Sequence, residues 1–225
     1  MARIGTAVCT GVLVGLLLLG FLAGRVFAQG APGPSHASSK ATSHAVAGID
    51  QGSITDGVYR NPSFGLTCKI PFGWVDRTAE MREGDATSAS DPAQSLVLLA
   101  VFERPPEATG STINSAIVIA AEKVSQYSGL KTAVDYFGPI TELATAKGFK
   151  VVNEPYEFPV GAKPLVRSDF SKPRGSLTMV QSSLVLLEKG YVVSFTFIAG
   201  SEDEVNGLIE NLRFNAKKPS SPSHE

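Results

Sequence analysis

The chain has 225 residues, 43% of them apolar and 18% charged, which is enough for an ordinary core and too few charges for a disordered chain. That length predicts one domain with appendages. A net charge of −1 and a pI of about 6.3 give neither a nucleic-acid footprint nor a polybasic membrane patch, and argue against nucleic acid as a partner.

At the amino terminus Arg3 is the only charge before an uncharged apolar run from Ile4 to Gly24, and "RVFAQ" follows. Val26 and Ala28 are the small residues a signal peptidase reads, so residues 1–28 read as a signal peptide cleaved between Ala28 and Gln29. The alternative is an uncleaved anchor: residues 4–24 approach the length of a membrane span and Arg25 is a flanking charge. Lipidation is disfavoured because Cys9 lies inside the apolar run rather than after it. Either reading places the rest of the chain outside the cytoplasm, periplasmic or secreted if cleaved and membrane-attached through residues 4–24 if not. Removing residues 1–28 leaves 18 bases against 21 acids, a charge of −3.

Residues 29–56 are rich in Gly, Ala, Ser and Pro and read as a disordered linker, and residues 216–225 as a disordered tail. The folded domain is expected over 57–215. All three histidines, His36, His44 and His224, fall in the linker and tail. A Ser-His-Asp or Cys-His hydrolase and the usual catalytic zinc shells need imidazole, so neither can be assembled within the domain. No phosphate loop or dinucleotide fingerprint is present, so no cofactor or metal is assigned. Cys9 leaves with the signal peptide and Cys68 then stands alone, without an internal disulfide, in "LTCKIP", where a small buried strand residue is expected.

In chain order, strands are expected near 64–70, 95–104, 113–121, 150–158, 163–171, 176–188 and 191–199, because runs such as "SLVLLAVF" and "YVVSFTFIA" have the length and β-branched or aromatic content of buried strands. "LLEKGYVV" predicts a hairpin turning at Lys189-Gly190. Helices are expected over 132–147, with a kink or fresh start at Pro139, and over 201–212. In the latter, Ser201 and Glu204 form a capping box ahead of Val205, Leu208, Ile209 and Leu212. The charge runs "AEMREGD" and "SEDEVN" read as solvated loops and first helical turns rather than as catalytic acids. Long antiparallel strands with few helices predict an α+β fold, a largely antiparallel sheet covered by helices.

The stretch "VYRNPSFGLTCKIPFGW" (58–74) sets Tyr59, Asn61, Phe64-Gly65, Pro71 and Trp74 in a pattern that resembles the opening of the PsbP-like α/β/α sandwich superfamily. "VRSDF" (166–170) and "EKGYVVSFTFIAGSEDEVNGLIENLRF" (188–214) resemble its closing half, and the resemblance spans about 57–215. That superfamily includes the extrinsic PsbP protein of photosystem II, related bacterial secreted domains and a Ran-binding nuclear import factor. The resemblance implies a non-catalytic extracytoplasmic module that binds a protein partner or assists assembly of an envelope complex. The alternative is a small-molecule or lipid-binding protein, or an enzyme using carboxylates alone, which a pocket lined by two or more of Asp76, Glu103, Glu154, Glu157 and Asp169 would favour. Trp74, following a strand-ending proline, reads as a cap on the core or as an exposed anchor, and Arg167 and Asp169, two apart on one strand, as an ion pair or a binding site. These three residues are the candidates for a partner surface.

Overall fold

A computed structural model describes residues 49–88 and 95–215. The expected signal peptide or anchor with its cleavage point at Ala28 and Gln29, most of the linker and the tail lie outside these residues. The strands are β1 (Ser53–Thr55), β2 (Val58–Asn61), β3 (Leu66–Lys69), β4 (Val75–Asp76), β5 (Ser95–Phe102), β6 (Ala116–Lys123), β7 (Lys150–Val160), β8 (Lys163–Arg174), β9 (Leu177–Glu188), β10 (Tyr191–Ala199) and β11 (Leu212–Phe214). The helices are α1 (Thr78–Ser88), α2 (Phe137–Ala146) and α3 (Glu202–Ile209). The fold is α+β and every strand pairing is antiparallel.

The strands form two sheets rather than one. Four short strands join in the order β1-β2-β3-β11, and seven longer ones in the order β4-β5-β6-β10-β9-β8-β7. A first core, with Tyr59, Leu66, Cys68, Leu99, Ile117, Leu184, Phe195 and Phe197, fills the space between the sheets and takes in Val205, Leu208 and Ile209 of α3. A second core lies on the other face of the large sheet, where Val118, Phe170 and Val185 meet Phe137, Ile140 and Ala144 of α2. Because both faces of its central strands are buried, their sequences are apolar at nearly every position rather than at alternate ones.

The corner carrying the family-like pattern is tied together by its polar residues. Asn61, fully buried, donates through Nδ2 to the Asp50 carbonyl at 2.8 Å and to the Tyr59 hydroxyl at 3.1 Å, while its Oδ1 accepts from the Phe64 N–H at 3.1 Å. The Tyr59 hydroxyl in turn donates to the Gln51 carbonyl at 2.9 Å. Ile49 packs against the first core, so the ordered domain includes residues 49–56 and β1, which were expected to belong to the linker. The expected strand over 64–70 begins only at Leu66: Phe64 and Gly65 lie in the turn that joins β2 to β3, closed by the Gly65 N–H on the Pro62 carbonyl at 3.3 Å.

Other boundaries moved for physical reasons. The strand expected from 113 starts at Ala116 and runs to Lys123, because the preceding Asn114 clamps the main chain of Arg104 in both directions and holds the chain in a loop. Residues 134–136 form a 3-10 turn, and α2 begins at Phe137 with Pro139 in its first turn, where a missing N–H costs nothing. Helix α1 occupies the charge run "AEMREGD"; its Arg82 donates to the carbonyls of Val97 at 2.6 Å and Leu98 at 3.2 Å, beside the register shift in β5. Ser201 caps α3 by accepting the Glu204 N–H at 3.2 Å. The Glu204 carboxylate reaches past the cap residue to the Gly200 N–H at 3.1 Å and accepts from the Ser115 hydroxyl at 2.6 Å, which staples α3 to the start of β6. Lys189 and Gly190 turn the β9–β10 hairpin with φ of +51° and +80°, the pair of positive values a two-residue type I′ turn requires.

Candidate functional site

Two regions contain the residues singled out from sequence. The first is on the inner face of the large sheet near its β7 edge. Arg167 and Asp169 on β8 share a face with the core residue Leu165, and both are buried. Arg167 Nε donates to Asp169 Oδ1 at 2.7 Å, and Arg167 Nη2 donates to the Ser182 hydroxyl at 3.0 Å. Ser182, the register partner of Asp169 on β9, also donates to Asp169 Oδ1. Asp169 Oδ2 accepts from Asn153 Nδ2 at 3.0 Å and from the Tyr156 hydroxyl at 3.2 Å, both from β7. The guanidinium of Arg167 lies 5.0 Å from the centre of the Phe158 ring, and Phe158 meets Tyr156 edge-on at 6.3 Å.

Each oxygen of Asp169 therefore has two donors. Burial pushes its carboxyl up, but the bonds from Ser182, Asn153 and Arg167 and the Arg167 charge outweigh that, and the net shift is downward. Burial, then the Asp169 charge, pushes the Tyr156 hydroxyl up, so it stays a donor. A carboxylate held this way is a poor base, and the cluster acts as a fixed brace across β7, β8 and β9. Two of its members face outward, Asn153 and Tyr156, the latter 38% exposed, and Val152 of the same strand is 56% exposed. Strand β7 is an edge, and Pro155 and Pro159 within it remove main-chain donors, so it is ill suited to accept another strand.

The second region is the turn after β3. The Trp74 N–H bonds the Pro71 carbonyl at 3.3 Å, and Gly73 has φ of +83° at the third position, as a type II turn needs. Trp74 is half-buried and packs against the first core, while Phe72, at the turn's tip, is fully exposed. Sequence reasoning weighed Trp74 as cap or anchor and passed over Phe72. The signal was the glycine after it, which in "PFGW" puts Phe72 at the second position of the turn.

The other acids considered from sequence do not join these groups. Asp76 accepts from Thr78, through its N–H at 2.9 Å and its hydroxyl at 2.5 Å, at the start of α1. Glu103 accepts from the Ser115 N–H at 3.3 Å and pairs with Arg104 at 3.4 Å. Glu154 and Glu157 are exposed on β7. A buried acid missed from sequence is Glu122, which accepts from the Tyr127 hydroxyl; the Tyr127 ring meets that of Tyr136 edge-on, 5.2 Å between centres. Burial, then the Glu122 charge, raises the Tyr136 hydroxyl well above its ordinary value. An acid closing an otherwise apolar strand, "AIVIAAEK", was the trace it left.

No family model matches the chain, and no curated protein matches it. Among solved structures, it is similar to cyanobacterial PsbP from Synechocystis sp. PCC 6803, at 13% identity over 73% of this chain and 96% of that one, with a TM-score of 0.45. It is also similar to the Saccharomyces cerevisiae Ran-binding protein Mog1p, at 14% identity over 71% and 84% of the two chains and a TM-score of 0.37. LpqN of Mycobacterium tuberculosis, described as involved in cell envelope biogenesis, is similar at 14% identity over 67% and 83%, with a TM-score of 0.35. Among the described residues no helix is long and apolar enough to cross a membrane.

Proposed function

We propose that this protein is a non-catalytic extracytoplasmic module that binds a protein partner or assists assembly of an envelope complex, through the β7 face around Tyr156. The observation that carries the reading is the hydroxyl of a partly exposed tyrosine fixed on a buried, fully bonded Asp169. A tyrosine immobilised in this way has already lost its rotamer freedom, so it can contribute a large amphipathic contact at little further entropic cost. Tyrosine dominates interface hot spots, and here Asp169, itself paired with Arg167, holds the Tyr156 hydroxyl, while Val152 of the same strand is exposed as well. The absence of histidine between residues 57 and 215, and a carboxylate held low by its donors, favour binding over catalysis.

The extracytoplasmic location rests on residues 1–28, with processing between Ala28 and Gln29; the intact mass of the protein recovered from its host checks it. Photo-crosslinking in the host envelope, with the full-length chain carrying the crosslinker at Val152, should capture a discrete partner. Tyr156→Ala, which also removes one donor to Asp169, should then weaken capture tenfold or more at a temperature where a thermal melt shows the variant still folded. Equal capture by wild type and Tyr156→Ala would move the partner surface elsewhere.

A further inference from the structure

The four-stranded sheet turns one face to the core and the other to solvent. On the outer face, Ser53, Arg60, Thr67 and Arg213 form one row across all four strands, and Thr55, Val58 and Lys69 form the next. Arg60, Lys69 and Arg213 are all exposed. Among the described residues none of the three makes an ion pair. The guanidiniums of Arg60 and Arg213 bond main-chain carbonyls, Arg60 those of Thr55 and Val58 at 3.1 and 3.3 Å, and Arg213 those of Glu210 and Leu212. The nearest acids along the chain, Asp56 in the β1–β2 turn and Glu210 before β11, are exposed at its margins. Three residues beyond Lys69, at the end of the same strand, stands the fully exposed Phe72.

We propose that this face, with Phe72 at its end, docks on an anionic lipid bilayer. Two of these cations are bonded to nearby main-chain carbonyls and none is committed to a carboxylate, which suits a plane of mobile phosphates. A single aromatic projecting from a turn suits insertion at the headgroup level, where aromatic rings partition. The sequence hides the patch because residues 60, 69 and 213 are far apart and the chain as a whole is mildly acidic. The inference goes beyond the partner reading and uses none of the residues around Tyr156.

Trp74 is the only tryptophan and sits two residues from Phe72, so its fluorescence reports the contact directly. The full-length chain would be mixed with phosphatidylcholine vesicles and with vesicles containing 30% phosphatidylglycerol, each carrying brominated acyl chains as quencher. Since residues 4–24 can associate with both lipids alike, the difference between them reads the domain. Trp74 should be quenched in anionic vesicles at low salt, released at high salt, and little quenched in neutral ones. The triple variant Arg60→Gln/Lys69→Gln/Arg213→Gln should weaken the anionic contact roughly a hundredfold, about fivefold per cation, and Phe72→Ser should reduce quenching with the domain still folded by thermal melt. Equal quenching in both lipids, no quenching in anionic vesicles, or a triple variant that behaves like wild type would each overturn the proposal. Capture of an acidic protein by this face, without any vesicle contact, would do the same.

Discussion

On the inner face of the large sheet Arg167 and Asp169 meet at 2.7 Å with both carboxylate oxygens doubly bonded, whereas Arg60, Lys69 and Arg213 on the outer face of the small sheet meet no acid among the described residues. The same residue types therefore do different work. A buried charge without a partner costs several kcal/mol, so the inner pair can exist only as a completed network, and its contribution is to hold three strands and Tyr156 in one arrangement. An exposed cation carries almost no such penalty and is free to meet something outside the molecule.

The largest effect that could break this comparison is at Asp169. Asp169→Ala leaves the Arg167 guanidinium buried without its carboxylate and should cost about 3–5 kcal/mol in urea unfolding. Replacing both partners at once, Arg167→Met with Asp169→Leu, should restore much of that loss, since no charge is then stranded. A double variant as unstable as the single one would mean that the network does more than satisfy itself. The pH dependence has a defined sign. The folded-state carboxyl of Asp169 is lowered, so its contribution is present above the ordinary aspartate value of about 3.9 and is lost as pH falls through the lower folded value. Asp169→Asn should flatten stability between neutral and acid pH relative to wild type.

Next in size are the two aromatics of the Pro71–Trp74 turn, two residues apart in sequence and unlike in burial. Trp74→Ala should cost about 3 kcal/mol because the indole packs against the first core, and Phe72→Ala should fall within about 0.5 kcal/mol because the ring touches solvent alone. Thermal melts of the two variants side by side check both. Cys68 sharpens the contrast in a different way. Fully buried on β3, its thiol is pushed by burial up to about 12. At pH 8 native labelling should be slower than labelling of the unfolded chain by roughly a thousandfold on ionisation alone. Comparable rates in the two states would place Cys68 outside the core.

How far these regions were legible before the structure follows from what each is made of. Strands β5, β9 and β10 are long and largely apolar, so their length and composition announced them, and Lys189-Gly190 announced the hairpin. The short strands β1, β2, β4 and β11 carry two to four residues each, too few for a period; β1 and β2 are held at the corner that Asn61, Tyr59 and Gln51 bond together, while β4 is placed by its pairing with β5 and β11 by its pairing with β3. Helix α1 was hidden because "AEMREGD" has almost no apolar stripe, and it is held instead by Arg82 on the β5 carbonyls. Spacing two apart on a strand placed Arg167 beside Asp169 on one face. Ser182, Asn153 and Tyr156, which complete the network, come from two other strands, and their meeting depends on register that no single stretch records. The basic outer face depends in the same way on the pairing of β2 and β11 with β3.

The most direct test of the account compares chemical denaturation of Asp169→Asn with that of Arg60→Gln/Lys69→Gln/Arg213→Gln, both in the full-length chain. The account predicts a clear fall in the unfolding midpoint for the single inner change. For the three outer changes together it predicts a shift within about 0.5 kcal/mol per site. An inner variant as stable as wild type, or an outer triple that unfolds the domain, would contradict the division between bracing charges and surface charges.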